Sequence, residues 1–72
     1  MAKKQILKEI GNARYAMRLA MYRGENKKAV MYDDETEKLI KKAEKELKIE
    51  WREIESALLD ADETAEMVNE EL

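Results

Sequence analysis

The second half of the chain is dominated by one spacing pattern. From Ile40 onward, apolar residues recur in steps of three and four, at positions 40, 43, 47, 51, 54, 58, 61, 65, 68 and 72. This heptad-like pattern is typical of an amphipathic helix, and the absence of proline from the chain leaves it uninterrupted. Trp51 falls within the pattern, which predicts that it belongs to the core. The pattern departs from a strict heptad only at the four-residue step before Trp51.

A first helix is predicted over residues 3–23. Its apolar residues also recur in steps of three and four, at positions 6, 10, 13, 17 and 20/21. Gly24 then follows Arg23, and a glycine able to adopt positive φ is the common way to end a helix. Gly11 lies inside this helix, where it costs up to about 1 kcal/mol relative to Ala. We interpret it as a site where another helix packs closely.

The connection is predicted over residues 24–33, although Ala29–Tyr32 fits either an extended segment or one helical turn. Asp34 and Glu37 have the spacing of a capping box, which predicts a second helix over residues 34–59. That helix either continues to the end of the chain or breaks near Asp60–Asp62. In the second case Asp60 and Glu63 cap a third helix over residues 61–71.

These elements predict an all-α fold in a single helical domain, residues 1–72. The first two helices are expected to form an antiparallel hairpin, in which Lys3, Lys4 and Lys8 lie near Glu50, Glu53 and Glu55. A continuous second helix would be much longer than the first, leaving its last apolar residues uncovered. Either a third helix folds back, or this overhang packs on another subunit in a self-associated helical bundle, most simply a homodimer.

The charges are divided along the chain. Residues 1–32 carry eight Lys or Arg against two acids, whereas residues 50–72 carry nine acids against Arg52 alone. The two ends are therefore expected to attract each other, within one chain or between chains.

Two sets of apolar residues are predicted to contact a partner. Tyr15, Leu19 and Tyr22 lie on the side of the first helix opposite its main apolar face, so that this helix is expected to be covered on both sides. The second set lies on the overhang. It comprises Leu58, Ala61, Ala65, Val68 and Leu72.

The composition argues against several kinds of chemistry. The chain has no Cys and no His, which removes disulfides, thiolate zinc sites and the commonest metal ligand. Asp60, Asp62, Thr64, Glu66 and Glu71 match calcium-loop spacing, but Ala65 replaces the required glycine. The remaining carboxylates are interleaved with lysines or clustered at a helix end, as on a solvated face. We therefore predict no enzymatic activity, no metal and no cofactor.

The predicted function is protein–protein interaction by a homo-oligomer: a small regulatory, adaptor or scaffolding protein, phage-like in size and composition. The partners would be a second copy and another protein. One alternative is nucleic-acid binding through Arg14, Arg18, Arg23, Lys27 and Lys28, against which a pI near 5 argues. Another is an acidic inhibitor that imitates phosphate charge with its C-terminal segment. The longest apolar run has four residues, so no membrane span is expected and a cytoplasmic location is predicted.

Overall fold

The computed structural model describes residues 2–71, and it confirms the all-α fold class with three helices packed against one another. Helix α1 spans Ala2–Tyr22, α2 spans Asn26–Lys45 and α3 spans Trp51–Glu71. The two connections are short, at three and five residues. Short connections between helices place sequential helices side by side.

Helix α1 ends in a Schellman motif built on Gly24. The Gly24 N–H donates to the Met21 carbonyl at 3.1 Å, and the Glu25 N–H donates to the Ala20 carbonyl at 2.9 Å. Gly24 has a φ of +74°, which a residue without Cβ adopts without steric cost. The predicted stop at Gly24 is thus present, and it reverses the chain within three residues.

Helices α1 and α2 form the expected antiparallel pair. Near the start of α1, Ile6 and Ile10 pack in one cluster with Ala43, close to the end of α2. Near the end of α1, Met17 and Ala20 pack with Ala29 from the start of α2. The start of α1 therefore lies beside the end of α2, and the end of α1 beside the start of α2, so the two helices are antiparallel.

Helix α3 runs parallel to α1 and on its other side. Lys3 pairs with Glu53 near the start of both helices, and Arg14 pairs with Asp62 farther along. Helix α1 therefore packs extensively against both α2 and α3, which contact each other much less. The predicted proximity of Lys3 and Glu53 is found, but on a third helix that runs parallel to α1.

The position of the helix break corrects the sequence prediction. The chain leaves the helix at Glu46–Glu50, and Asp60 lies inside α3. Lys48 adopts a left-handed φ of 52° and no glycine or proline marks the turn. Ile49 offsets the cost of this conformation at Lys48. Its side chain is buried in the core at 5% exposure, and its N–H donates to the Ala43 carbonyl at 3.0 Å.

The start of α2 also differs from the prediction. Residues 26–33 were expected in a connection, but they are helical because Ala29 and Tyr32 pack against α1. Asp34 and Glu37 therefore lie inside α2, and Asp60 and Glu63 lie inside α3, so neither pair is a capping box. Helix α2 begins after Glu25, which makes no side-chain capping bond within the described chain. Helix α3 begins after Glu50, whose carbonyl accepts the first hydrogen bonds of that helix.

The core consists of medium and small side chains. Within residues 2–71, only Ile10 and Ile54 are large and fully buried, and five of the twelve buried apolar residues are isoleucine or leucine. Most of the others are alanines, at positions 13, 20, 29, 43, 61 and 65. The polar residue buried among them, Thr36, is satisfied because its hydroxyl donates to the Tyr32 carbonyl at 2.8 Å. The helices are therefore close together, with a modest apolar volume between them.

Candidate protein-interaction surface

An open apolar groove lies between the parallel helices α1 and α3. We call it the α1–α3 groove. Its α1 wall is formed by Leu7, Lys8, Gly11, Asn12 and Tyr15. Its α3 wall is formed by Ala57, Asp60, Ala61 and Thr64.

The groove has an apolar floor and a polar rim. Leu7, Gly11, Tyr15 and Ala57 are half-buried and Ala61 is buried, so these five residues form the floor. The rim residues are exposed: Lys8 and Asn12 on the α1 edge, and Asp60 and Thr64 on the α3 edge. An apolar centre surrounded by polar side chains is the usual anatomy of a protein–protein interface.

Gly11 accounts for the depth of the groove. A methyl group added at Gly11 would lie 3.8 Å from the Ala57 carbonyl oxygen, which is an ordinary van der Waals contact. The glycine is therefore not required by the packing of α1 on α3. Its missing side chain instead leaves space that is open on the outer side of the groove.

Two exposed apolar side chains extend the groove by helical register. Tyr22 follows Tyr15 by seven residues on the α1 edge, and it is 38% exposed. Met67 follows Asp60 by seven residues and Thr64 by three on the α3 edge, and it is 61% exposed. Residues spaced by three, four or seven share one side of a helix. The apolar surface thus continues beyond the groove along both helices.

The predicted interface residues fall into two groups. Tyr15 and Leu19 are half-buried at the edges of grooves and Tyr22 is exposed, so all three remain accessible. The overhang set is placed differently, because α3 folds back onto α1. Leu58 and Ala65 lie in the chain's own core, Ala61 is accessible only as part of the groove floor, and Val68 is half-buried. Leu72 lies outside the described residues.

Asp62 holds two arginines of α1. Arg14 donates to both carboxylate oxygens of Asp62, from Nε at 2.7 Å and from Nη2 at 3.1 Å. This hydrogen bonding raises the pKa of Arg14, an effect that partial burial opposes and that the charges of Asp62 and Asp33 reinforce. Arg14 is therefore positively charged at any working pH. Arg14 links α1 to α3, and its charge also interacts favourably with that of Asp33 on α2.

Arg18 is held less well. Its Nε lies 3.6 Å from Asp62 Oδ1, too far for a hydrogen bond, and this buried nitrogen has no hydrogen-bond partner among residues 2–71. Its Nη2 donates to the Tyr22 hydroxyl at 3.3 Å, and the guanidinium carbon lies 5.6 Å from the centre of the Tyr22 ring. Stacking of this kind stabilises a cation by about 0.5–1 kcal/mol at an exposed site. Arg18 therefore fixes Tyr22 at the end of α1.

The basic residues considered for nucleic-acid contact do not form one surface. Arg14 and Arg18 face Asp62, so part of their charge is neutralised within the chain. Arg23, Lys27 and Lys28 are exposed around the α1–α2 connection, where Lys28 lies 3.4 Å from Glu25. Helix α3, with eight acids and one Arg, runs alongside α1 and opposes the approach of a polyanion.

Trp51 was assigned to the core, and the structure corrects this. It is 50% exposed because it is the first residue of α3, beside the connection from α2. Met21, Val30, Met31 and Leu59 are also exposed, and they do not line the α1–α3 groove. Single exposed apolar residues are common on protein surfaces, whereas a continuous apolar groove is informative.

Sequence reasoning missed several groove residues. Leu7, Lys8, Asn12, Ala57, Asp60 and Thr64 were not singled out for an interface, because a folded-back third helix was expected only as one alternative and only over residues 61–71. The available signal was Gly11, which lies in the correct part of α1, although its interpretation as a site of close helix packing is not met by α3, where a Cβ would make an ordinary contact. Asp60, Asp62 and Thr64 lie within one helix, where Thr64 donates to the Asp60 carbonyl at 2.8 Å, so they do not form a calcium loop.

Comparison with known proteins finds no match to this chain among family models, curated proteins or solved structures. Within residues 2–71, no helix has the length and apolar character needed to cross a membrane.

Proposed function

We propose that this protein is a small, non-enzymatic protein–protein interaction module of the regulatory, adaptor or scaffolding kind, acting as a homo-oligomer. The observation that carries the proposal is the α1–α3 groove, an open apolar surface with a polar rim. Burying apolar surface is favourable by about 25 cal/mol per Å², so such a groove gains from being covered by another protein.

The size of the core supports self-association. A chain of 72 residues buries a smaller share of its surface than a larger domain does, and here half of the buried apolar residues are alanines. Small natural domains commonly add disulfides, a metal or a second subunit to reach adequate stability. The sequence has no cysteine and no histidine, so a second subunit is the addition that fits this composition best.

The charged residues of the groove support a binding role over a catalytic one. Lys8 and Asp60 lie on its exposed rim, in contact with solvent. Acid–base catalysis requires groups whose pKa is tuned by burial or by close neighbours in an enclosed pocket. Exposed rim charges instead orient and select a partner.

Sedimentation equilibrium of the wild-type protein and of a Gly11→Leu variant tests this proposal. Leucine at position 11 fills the groove with a side chain that suits a helix, so the variant should fold and lose self-association. Lys38→Leu, at an exposed position of α2, is the matched control because it adds the same side chain outside the groove. The proposal predicts a wild-type oligomer, a more dissociated Gly11→Leu variant and an unchanged control. Equal association of all three would show that the groove is not the interface.

A further inference from the structure

The charges on the rim of the α1–α3 groove differ between its two edges. The α1 edge carries Lys8, with Lys4 one turn before it, whereas the α3 edge carries Asp60. This local asymmetry reflects the whole helices, because α1 has five basic residues and one acid while α3 has eight acids and one Arg. One edge of the groove is therefore basic and the other acidic.

A surface with one basic and one acidic edge is complementary to itself under a two-fold rotation. If the two-fold axis runs along the helices, α1 of each copy lies over α3 of the other, so basic edges meet acidic edges. If the axis runs across the helices, α1 lies over α1 and α3 over α3, and like charges face each other. Like-charge contacts across an interface are unfavourable, so the charges select the first arrangement.

We infer that the occupant of the α1–α3 groove is a second copy of this chain, related by a two-fold axis along the helices, with the Lys8 edge of each copy over the Asp60 edge of the other. This inference rests on the proposed function and specifies its surface and partner. Asn12 and Thr64 lie four residues beyond Lys8 and Asp60 on the same two edges, so the polar rim of each copy meets the polar rim of the other.

The groove floor suits this arrangement. Gly11, Ala57 and Ala61 have little or no side chain, which allows the backbone of a facing helix to approach closely. Tyr22 and Met67 lie farther along the α1 and α3 edges and are exposed. The apolar surface available to a second copy therefore continues beyond the groove on both helices.

Charge reversal provides a test with an internal control. Lys8→Glu places an acid on the α1 edge, over the acidic α3 edge of the other copy. Asp60→Lys places a lysine on the α3 edge, over the basic α1 edge of the other copy. Because symmetry repeats the pair twice, each variant alone should weaken dimerisation about tenfold or more. An equimolar mixture of the two variants should restore it. In the mixed dimer the edge with the introduced glutamate of the first variant would lie over the edge with the introduced lysine of the second, and the unchanged Asp60 and Lys8 edges would lie over each other.

The mixture separates contacts between chains from contacts within a chain. Each variant keeps its own like-charged pair across its own groove, so mixing leaves any intrachain repulsion unchanged. Recovery of the dimer on mixing, by sedimentation equilibrium, therefore requires the pairing between copies. Lys41→Glu, at an exposed α2 position, is the control for the change in net charge and should dimerise as the wild type does.

The remaining outcomes distinguish the inference from the proposed function. A wild-type protein that dimerises equally well with either reversal would overturn this arrangement and leave homo-oligomerisation standing. Failure of the mixture to dimerise more strongly than the separate variants would also overturn it. A wild-type protein that is monomeric at all concentrations would refute the proposed homo-oligomer itself.

Discussion

Arg14 and Asp62 are separated by 48 residues and joined by two hydrogen bonds, at 2.7 and 3.1 Å. This bidentate contact aligns α3 parallel to α1, with the Lys3–Glu53 pair near the start of both helices. Parallel neighbouring helices bring like ends of their dipoles together. The attraction between a basic α1 and an acidic α3 offsets that cost, which gives the uneven charge distribution of the sequence a structural role.

The Arg14–Asp62 contact should contribute measurably to stability. Both side chains are partly buried, at 29% and 22% exposure, and hydrogen bonds to charged groups contribute more than neutral ones. We expect Arg14→Met to lower the free energy of unfolding by about 1–2 kcal/mol. In a double-mutant cycle by urea denaturation, Arg14→Met and Asp62→Asn should show a coupling energy of similar size. Strictly additive effects would mean that α3 does not take this position.

Arg18 should behave differently from Arg14. Its Nε is buried without a hydrogen-bond partner in the described part of the chain, so the side chain brings a desolvation cost along with its contact to Tyr22. We predict that Arg18→Met changes the free energy of unfolding by less than about 0.5 kcal/mol, since methionine keeps most of the apolar contact. The same urea titration measures it. A loss as large as that of Arg14→Met would indicate that Arg18 also pairs fully with Asp62.

The turn between α2 and α3 contains a strained residue. Lys48 has a φ of 52°, a left-handed conformation that costs a residue with Cβ roughly 1 kcal/mol. Lys48→Gly should therefore raise the free energy of unfolding by several tenths of a kcal/mol, after the greater chain entropy of glycine is subtracted. Lys41→Gly, at an exposed position inside α2, is the matched control and should lower the free energy of unfolding by up to about 1 kcal/mol. Destabilisation by both changes would place a continuous helix at residue 48.

Gly11→Ala should affect folding and association in opposite directions. Alanine favours the helix by up to about 1 kcal/mol, and its methyl group would meet Ala57 at an ordinary contact distance. At a concentration where the protein is monomeric, thermal unfolding should show a higher midpoint. At higher concentration, the added methyl group should weaken the dimer because it raises the groove floor. A lower midpoint would mean that α1 and α3 approach more closely at Gly11 than in this structure.

Much of the fold follows from spacing alone. The steps of three and four correctly placed Ile54, Leu58, Ala61 and Ala65 on one apolar side of a helix, although the last three had been assigned to a partner contact and instead are buried within the chain. Burial of apolar side chains on one side of a helix is a local consequence of helix geometry, so a sequence pattern predicts it well. The end of the first helix at Gly24 was likewise predictable, because few residues besides glycine adopt positive φ at low cost.

The break at Glu46–Glu50 was not predictable in the same way. Its residues are not turn formers, and Lys48 adopts an unfavourable conformation there. The turn forms because folding α3 back buries Ile49, Ile54 and Leu58 against α1, a tertiary gain that exceeds the local cost. The one local sign was the four-residue step before Trp51. Because the break was misplaced, the alternative of a folded-back third helix covered only residues 61–71, and the groove that α3 forms with α1 was missed.

The solution mass of the wild-type protein shows directly whether a second copy covers the α1–α3 groove. Light scattering behind size exclusion, over a dilution series at low and high salt, should give twice the 8.5 kDa chain mass at high concentration. Dissociation should set in at higher protein concentration as salt rises, because the rim pairs of the groove are exposed and screened. A constant mass of 8.5 kDa at every concentration and salt would contradict the account, since the α1–α3 groove would then remain uncovered by a second copy.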